Sequence, residues 1–397
     1  MTSLFKGVVT LKKAIVFLMM SFFLIGCWDR EEINDVAFVV GTAIDKKEDQ
    51  YMVSIQIPLV GEMGGQSGGG GGTTGDKTWF IDSATGETIR EANERKQSAL
   101  SRNINFSHRR IVVIGEDLAK DGLMPAFDIL ARGQQNRLTA FIVIADGLGR
   151  DVLNADAPIE QYPSEMLREL TIGATTKPIF LKTFMYHFVE EGLDAYAPVV
   201  KLVETEPGDK GEAQTNIQID GLAILKKDKL VELLEPEKAK YVLLTMNQAN
   251  LPTFKIDAPD HTGKLMIQLQ EYETNLSPSI NEEEVTMEIN IRAKGALVEN
   301  MSTFSMRNYE NKKKVEQHLE EKLKTDVKQT IHHLQSLGSD PIGFGQLLRR
   351  NKVNEWMKLK GQWENVYPKI EIKVDARVHI EHEGVLSKPL ENKEHDS

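Results

Sequence analysis

The stretch from Asn308 to Leu337 constrains the fold of this chain more than any other. Its apolar residues Val315, Leu319, Leu323, Val327, Ile331 and Leu334 fall four, four, four, four and three apart, so a helix over about 308–337 carries a single stripe. A lone stripe of that length calls for one broad apolar surface, which a sheet supplies. The flanking sequence offers strands for it. Lys264–Glu273 and Val285–Val298 read as strands, and in Lys369–Ile380 the residues Ile370, Ile372, Val374, Ala376, Val378 and Ile380 alternate with polar neighbours.

The N-terminal half repeats the theme on a smaller scale. Val36–Ile44 is an apolar, β-branched run, and Tyr51, Val53, Ile55, Ile57 and Leu59 share one face of a second strand. The polar turn Asp45–Gln50 joins the two as a hairpin. Thr78–Ile81 is a short strand, and Glu87–Arg102 is helical in composition, with Thr85 or Ser83 as its cap. Arg110–Ile114 and Ala140–Ala145 read as buried strands. Between them Glu116–Arg132 has helical periodicity, with Pro125 marking a new start, so the order is strand, helix, strand and the sheet is mixed. Gln161–Leu170 and Pro178–Glu191 add two helices, and Lys240–Met246 is a helix or a strand. The expected class is α+β and multi-domain, with small mixed β-sheets each packed with helices.

Three polar or glycine-rich stretches divide the chain. Gly61–Gly75 is a flexible loop by composition; Glu204–Thr215 and Asp260–Gly263 read as boundaries. The expected domains are an N-terminal α+β domain over 27–208 that includes the 61–75 loop, a small middle domain over 209–262, and a C-terminal α+β domain over 263–390.

Residues 1–26 read as an address. Lys6, Lys12 and Lys13 precede the 12-residue apolar run 14–25, which is about 18 Å of helix and shorter than a bilayer core requires. A positive flank followed by a short apolar run is the layout of a secretory signal. The run ends Leu24-Ile25-Gly26-Cys27, which resembles the bacterial lipobox. The resemblance implies cleavage before Cys27 and two acyl chains on its sulfur, enough for stable anchoring. From Cys27 to the first strand near Val36 there are about eight residues, a reach of at most ~26 Å, so the folded part is expected close to the membrane. Removing 1–26 takes away three lysines and no acid, so the formal charge moves from −11 to −14. So acidic a chain gains little from anionic headgroups as a whole, and acyl chains and protein partners are expected to hold it.

The same figures exclude several classes of function. The 48 Lys and Arg against 59 Asp and Glu argue against a nucleic-acid binder. With Cys27 as the single cysteine, a disulfide framework or Cys-rich zinc site is ruled out. Gly65-Gln66-Ser67-Gly68-Gly69 matches the nucleophile pattern G-x-S-x-G, but a nucleophile elbow needs a strand before it and a helix after it, and here the match lies in a polyglycine run. His332 and His333 point about 100° apart on a helix, and His379 and His382 face opposite sides of a strand, so neither pair makes a metal site. The reading is a protein without catalysis, metal or cofactor.

Several segments together resemble the Ger(x)C family of spore germination lipoproteins. They are Gly26-Cys27-Trp28-Asp29-Arg30-Glu31-Glu32-Ile33, the run from Ser107-His108-Arg109-Arg110 through Ile111–Ile114 to Gly122, Gly221–Leu230, and Asp340-Pro341-Ile342-Gly343-Phe344-Gly345 followed by Trp356 and Trp363. Gly133 and Glu232 depart from that pattern, standing where an acid and a glycine are expected. The resemblance implies the C subunit of a nutrient germinant receptor, anchored through Cys27 on the outer face of the inner spore membrane. Its partners would be a polytopic A subunit and a transporter-like B subunit. His108, Arg109, Trp356 and Trp363 are the candidate partner-binding residues, weighed against plain packing roles. The alternative is a solute-binding lipoprotein of a membrane transporter.

Overall fold

This computed structural model describes residues 33–59, 78–133, 137–206, 213–281 and 284–382. Leu24, Ile25, Gly26 and Cys27 lie outside the described residues, as do the 61–75 loop and Ser67 within it.

The first lobe opens with β1 (Val36–Phe38), β2 (Gly41–Lys47), β3 (Gln50–Pro58) and β4 (Trp79–Gly86). The run expected as one strand is therefore two. Val39 and Val40 carry the chain from a small sheet, where β1 pairs parallel with β5 (Asn103–Asn105), into a large one, where β2 pairs with β3. The hairpin is tighter than the sequence indicates: Lys47 pairs with Gln50, and Glu48 takes a left-handed φ of 54° in the turn. Asp45, assigned above to that turn, is instead fully buried in β2. Its carboxylate accepts N–H bonds from Gly149 at 2.6 Å and Arg150 at 3.0 Å, while burial pushes its pKa up to about 6.

The helix α1 (Ile89–Ala99) is capped by Thr88, whose hydroxyl accepts from Glu91 N–H at 3.1 Å, in place of Thr85 or Ser83. Next come β6 (Ile111–Ile114), α2 (Glu116–Asp121), α3 (Met124–Arg132) and β7 (Phe141–Ala145). β6 and β7 are parallel neighbours and Pro125 sits in the first turn of α3, so the crossover has the expected form. Three more helices follow: α4 (Gly149–Leu153), α5 (Pro163–Ala174) and α6 (Leu181–Val189).

Then β8 (Tyr196–Glu204), β9 (Thr215–Lys226) and β10 (Lys229–Leu234) complete an eight-stranded mixed sheet in the order β10-β9-β8-β7-β6-β2-β3-β4. The stretch 204–215 links two neighbouring strands of this sheet, and Glu204 pairs directly with Thr215. β8 is invisible in the sequence because Pro198 lacks an N–H for the ladder; the structure accommodates it beside a register shift between Pro198 and Val200. The sheet is covered on both faces. Ile44, Val112, Ile114, Ile142 and Ile144 pack with Leu118, Phe127 and Phe184, while Ala43, Ile111, Val113 and Val143 pack with Leu153 and Leu167.

The second lobe is a four-stranded sheet of β11 (Thr253–Asp257), β12 (Lys264–Asn281), β13 (Glu284–Met301) and β14 (Glu371–His382), in that order. β13 and β14 are parallel, and helix α8 (Tyr309–Leu337) is the longest element of the crossover between them. Asn308 caps α8 by accepting from Asn311 N–H at 2.7 Å, and Gly338 ends it in the left-handed region at φ 66°. All six stripe residues of α8 are buried; five of them join Leu265, Ile267, Ile289, Ile291 and Ile372 in the second core, and Leu334 joins the first. The stripe thus finds its sheet, and its last turn reaches into the neighbouring lobe.

No separate middle domain exists over 209–262. β9 and β10 extend the first sheet, β11 edges the second, and α7 (Pro236–Thr245) lies between them. Ala239 and Val242 of α7 sit in the first core, Tyr241 and Leu244 in the second. A segment of this size has too little surface to bury alone, so it is divided between two larger cores.

Candidate functional site

The segments singled out near the C-terminus converge on the seam between the lobes. After Gly338, Ser339 donates its hydroxyl to Leu225 O at 2.5 Å, tying the end of α8 to β9. Asp194 and Asp340 then clasp each other. Asp194 N–H donates to Asp340 O at 3.0 Å, and Asp340 N–H donates to the Asp194 carboxylate at 2.8 Å. The Asp194 carboxylate also accepts from Lys227 N–H at 3.2 Å.

The Asp340 side chain organises the turn Asp340–Gly345. It accepts N–H bonds from Gly343 at 2.9 Å, Phe344 at 3.0 Å and Gly345 at 2.9 Å, at the start of α9 (Phe344–Asn351). Gly343 takes φ 81°, a left-handed angle that favours glycine. Burial pushes the Asp340 pKa up to about 7, against the lowering pull of those three N–H groups. Asp194 shifts upward as well, again through burial.

Gly345 is needed for a different reason: close approach. A Cβ at Gly345 would stand 2.5 Å from Gly192 Cα, and one at Gly192 would stand 2.6 Å from Gly345 C and 2.7 Å from Trp356 Cη2. The two lobes therefore touch backbone to backbone, and Gln346 N–H donates to Gly192 O at 2.8 Å across the contact.

Trp356 lies on α10 (Val353–Leu359) and Trp363 begins α11 (Trp363–Val366), with a 3-10 turn at 360–362 between them. No continuous helix joins them, yet they meet edge to face with ring centroids 5.3 Å apart. Tyr367 extends the cluster 6.0 Å from Trp363, and Trp356 is only 2% exposed. Around this cluster lies a hollow of about 450 Å³ whose lining includes His187, Asp194, Lys227, Trp356, Trp363 and Tyr367. Burial draws the His187 pKa down to about 4, so this ring is neutral near pH 7. Ion pairs close the rim, Lys227 with Glu364 at 3.0 Å and Arg349 with Glu190. Glu232, the departure noted in the sequence, holds His333 of α8 at 2.7 Å and so adds another tie between the lobes.

His108 and Arg109 lie elsewhere, at the start of β6. His108 is exposed and edge-on to Phe38, with centroids 4.8 Å apart. Arg109 is buried, donates to Thr42 Oγ1 at 3.4 Å and stacks over the Phe106 ring at 5.1 Å. Its pKa is drawn down to about 10 by burial. The four candidate partner residues therefore form two places and not one. Gly192, Asp194 and Tyr367 escaped sequence reasoning; the only signal for the first two was Gly-Leu-Asp just ahead of an apolar run.

Among the described residues, no group of three or more His, Cys, Asp or Glu could hold a metal ion, and no helix is long and apolar enough to cross a membrane. His332 pairs with Gln335 at 2.8 Å and His379 with Glu316 at 3.2 Å.

Two family models match the chain: the spore germination protein N-terminal domain over residues 29–202, and the spore germination B3/GerAC-like C-terminal domain over 220–384. The chain is 49% identical over 381 residues to the spore germination protein YfkR of Bacillus subtilis, covering 96% of this chain and 99% of that one. It is 26% identical to spore germination protein KC of the same organism, covering 96% and 97%. The crystal structure of the GerBC protein shares the fold, with a TM-score of 0.55 at 20% identity, over 89% of this chain and 99% of that one. With both halves matched in order, the chain belongs to the Ger(x)C family of spore germination proteins, the C subunits of germinant receptors.

Proposed function

We propose that this chain is the lipid-anchored C subunit of a nutrient germinant receptor, held by acylated Cys27 on the outer face of the inner spore membrane. It acts there without catalysis, as a rigid body on which the A and B membrane subunits assemble and through which they signal. The observation that carries this reading is how the family's Asp340–Gly345 segment is used. The Asp340 carboxylate is taken up by three backbone N–H groups, and Gly345 by a contact with Gly192. Residues of a motif used this way fix one lobe against the other and leave little for a diffusing ligand.

The short link supports the same reading. Five residues lie between Cys27 and Ile33, the first described residue, and these six steps allow at most ~20 Å between anchor and fold. A subunit with integral membrane partners needs that closeness, whereas a solute receptor that visits a transporter works on a longer tether. The test is Cys27→Ala in the spore. Loss of the chain from the membrane fraction together with impaired nutrient germination is expected; normal retention would remove the anchor from the account.

A further inference from the structure

The net charge of this chain hides one local reversal. A hollow of about 430 Å³ opens at the start of β6 and β7, lined by Arg109, Arg110, Arg137, Arg168 and His108 together with Ser107 and Thr139. Among the described residues no acid belongs to that lining. Glu165 bonds Arg110 and Arg168, and Glu169 bonds Arg168, so among the described residues Arg110, Arg137 and Arg168 meet two carboxylates there. In a chain with a formal charge of −11, such a concentration runs against the trend. Guanidinium forks beside Ser and Thr hydroxyls are the chemistry of phosphate recognition.

The position of the hollow is as informative as its charge. It lies where the chain comes in from its N-terminal segment. Phe38 of β1 packs against His108, and Val40 O accepts from Arg110 N–H at 2.8 Å. Strand β2 then begins at Gly41, which pairs with Ile111 of β6. The described residues Phe38, Val40 and Gly41, which lead into the first sheet, thus lie beside the basic hollow.

We infer that this arginine hollow binds the phosphate of an anionic membrane headgroup. The proposal rests on the anchor reading only for the source of the phosphate. It gives His108 a lipid partner, and it sets the orientation of the body on the bilayer: acyl chains alone leave rotation free, whereas a headgroup contact beside the anchor fixes one face downward. The overall acidity then works in the same sense, since the remaining negative surface is repelled from an anionic leaflet.

The test uses the processed chain, residues 27–397, carrying Cys27→Ser so that no acyl chain contributes. Flotation with vesicles of phosphatidylcholine alone, and of phosphatidylcholine with phosphatidylglycerol, is compared at low and high salt. The expected result is binding to the anionic vesicles only, weakened about fivefold by Arg137→Gln and again by Arg110→Gln, and weakened by salt. Circular dichroism checks that both variants stay folded. A titration with inorganic phosphate separates the two sources. Binding of free phosphate without any preference for phosphatidylglycerol overturns the membrane proposal, as does a preference that survives both arginine substitutions. Because no acyl chain is present, failure here leaves the Cys27 reading standing, and loss of Cys27 anchoring leaves this assay unchanged.

Discussion

Consider Gly192→Ala at the seam between the lobes. Two costs add at this position. Gly192 has φ 75°, where an L side chain costs about 1–2 kcal/mol. The new methyl would also stand 2.6 Å from Gly345 C and 2.7 Å from Trp356 Cη2, contacts that only movement of backbone and a buried ring could relieve. Overpacking of that kind costs about 1–3 kcal/mol, so the expected total is about 2–5 kcal/mol. Gly345→Ala meets the same contact from the opposite side, at 2.5 Å from Gly192 Cα, without a left-handed φ. It should therefore cost only the overpacking part, and the difference between the two variants isolates the φ penalty. Because both substitutions press on one contact, the double variant should cost less than their sum. Gly173→Ala is the control: nothing lies within 4 Å of its Cβ, and in α5 it should be neutral or stabilising by about 0.5–1 kcal/mol. Urea unfolding followed by tryptophan fluorescence measures all four, and Trp356 lies on the contact being tested. Wild-type stability for Gly192→Ala would refute the close-packed seam.

Further outcomes follow from other parts of the fold. Asp340 has a folded pKa of about 7, above its unfolded value, so its contribution is full below about pH 4, falls as pH rises toward 7, and is constant above; the stability difference between wild type and Asp340→Asn should decline over that window, and a rising difference would contradict the burial argument. Lys96 is buried, with Nζ donating to Val53 O at 3.2 Å and Asp82 O at 2.5 Å, and burial lowers its pKa to about 8. Its folded pKa lies below its unfolded one, so wild type should gain stability between about pH 8 and 10 in urea melts while Lys96→Met gains none; parallel pH profiles would exclude a buried amine. Trp356→Ala should cost about 3–5 kcal/mol by cavity formation, and a loss under 1 kcal/mol would show that the aromatic cluster does not hold α10 in place.

How much of this was legible in the sequence depended on whether a pattern was local. The stripe of α8 was legible because six residues on one helix face have to meet a single surface, and the last strand because its alternation repeats over a dozen residues. The parallel pair β6 and β7 showed as two wholly apolar runs, the mark of strands covered on both faces. What failed was assignment across distance. Asp45 looked like a turn residue because it precedes two lysines, yet it is satisfied by Gly149 and Arg150 more than 100 positions away. The segment 209–262 looked separate because polar stretches bound it, and nothing in its own residues revealed that α7 serves two cores. At the seam, the partner that makes Gly345 necessary, Gly192, is 153 residues upstream.

The central claim is that this chain works as a membrane-anchored receptor subunit, and isolation of the intact chain from spore membranes tests it most directly. With mild detergent and an affinity tag on the C-terminus, the account predicts that two integral membrane proteins of the germinant receptor co-purify in fixed ratio, and that neither is recovered with the chain when Cys27 is Ala. Recovery of the chain alone, or in company with the membrane components of a solute transporter, would contradict it.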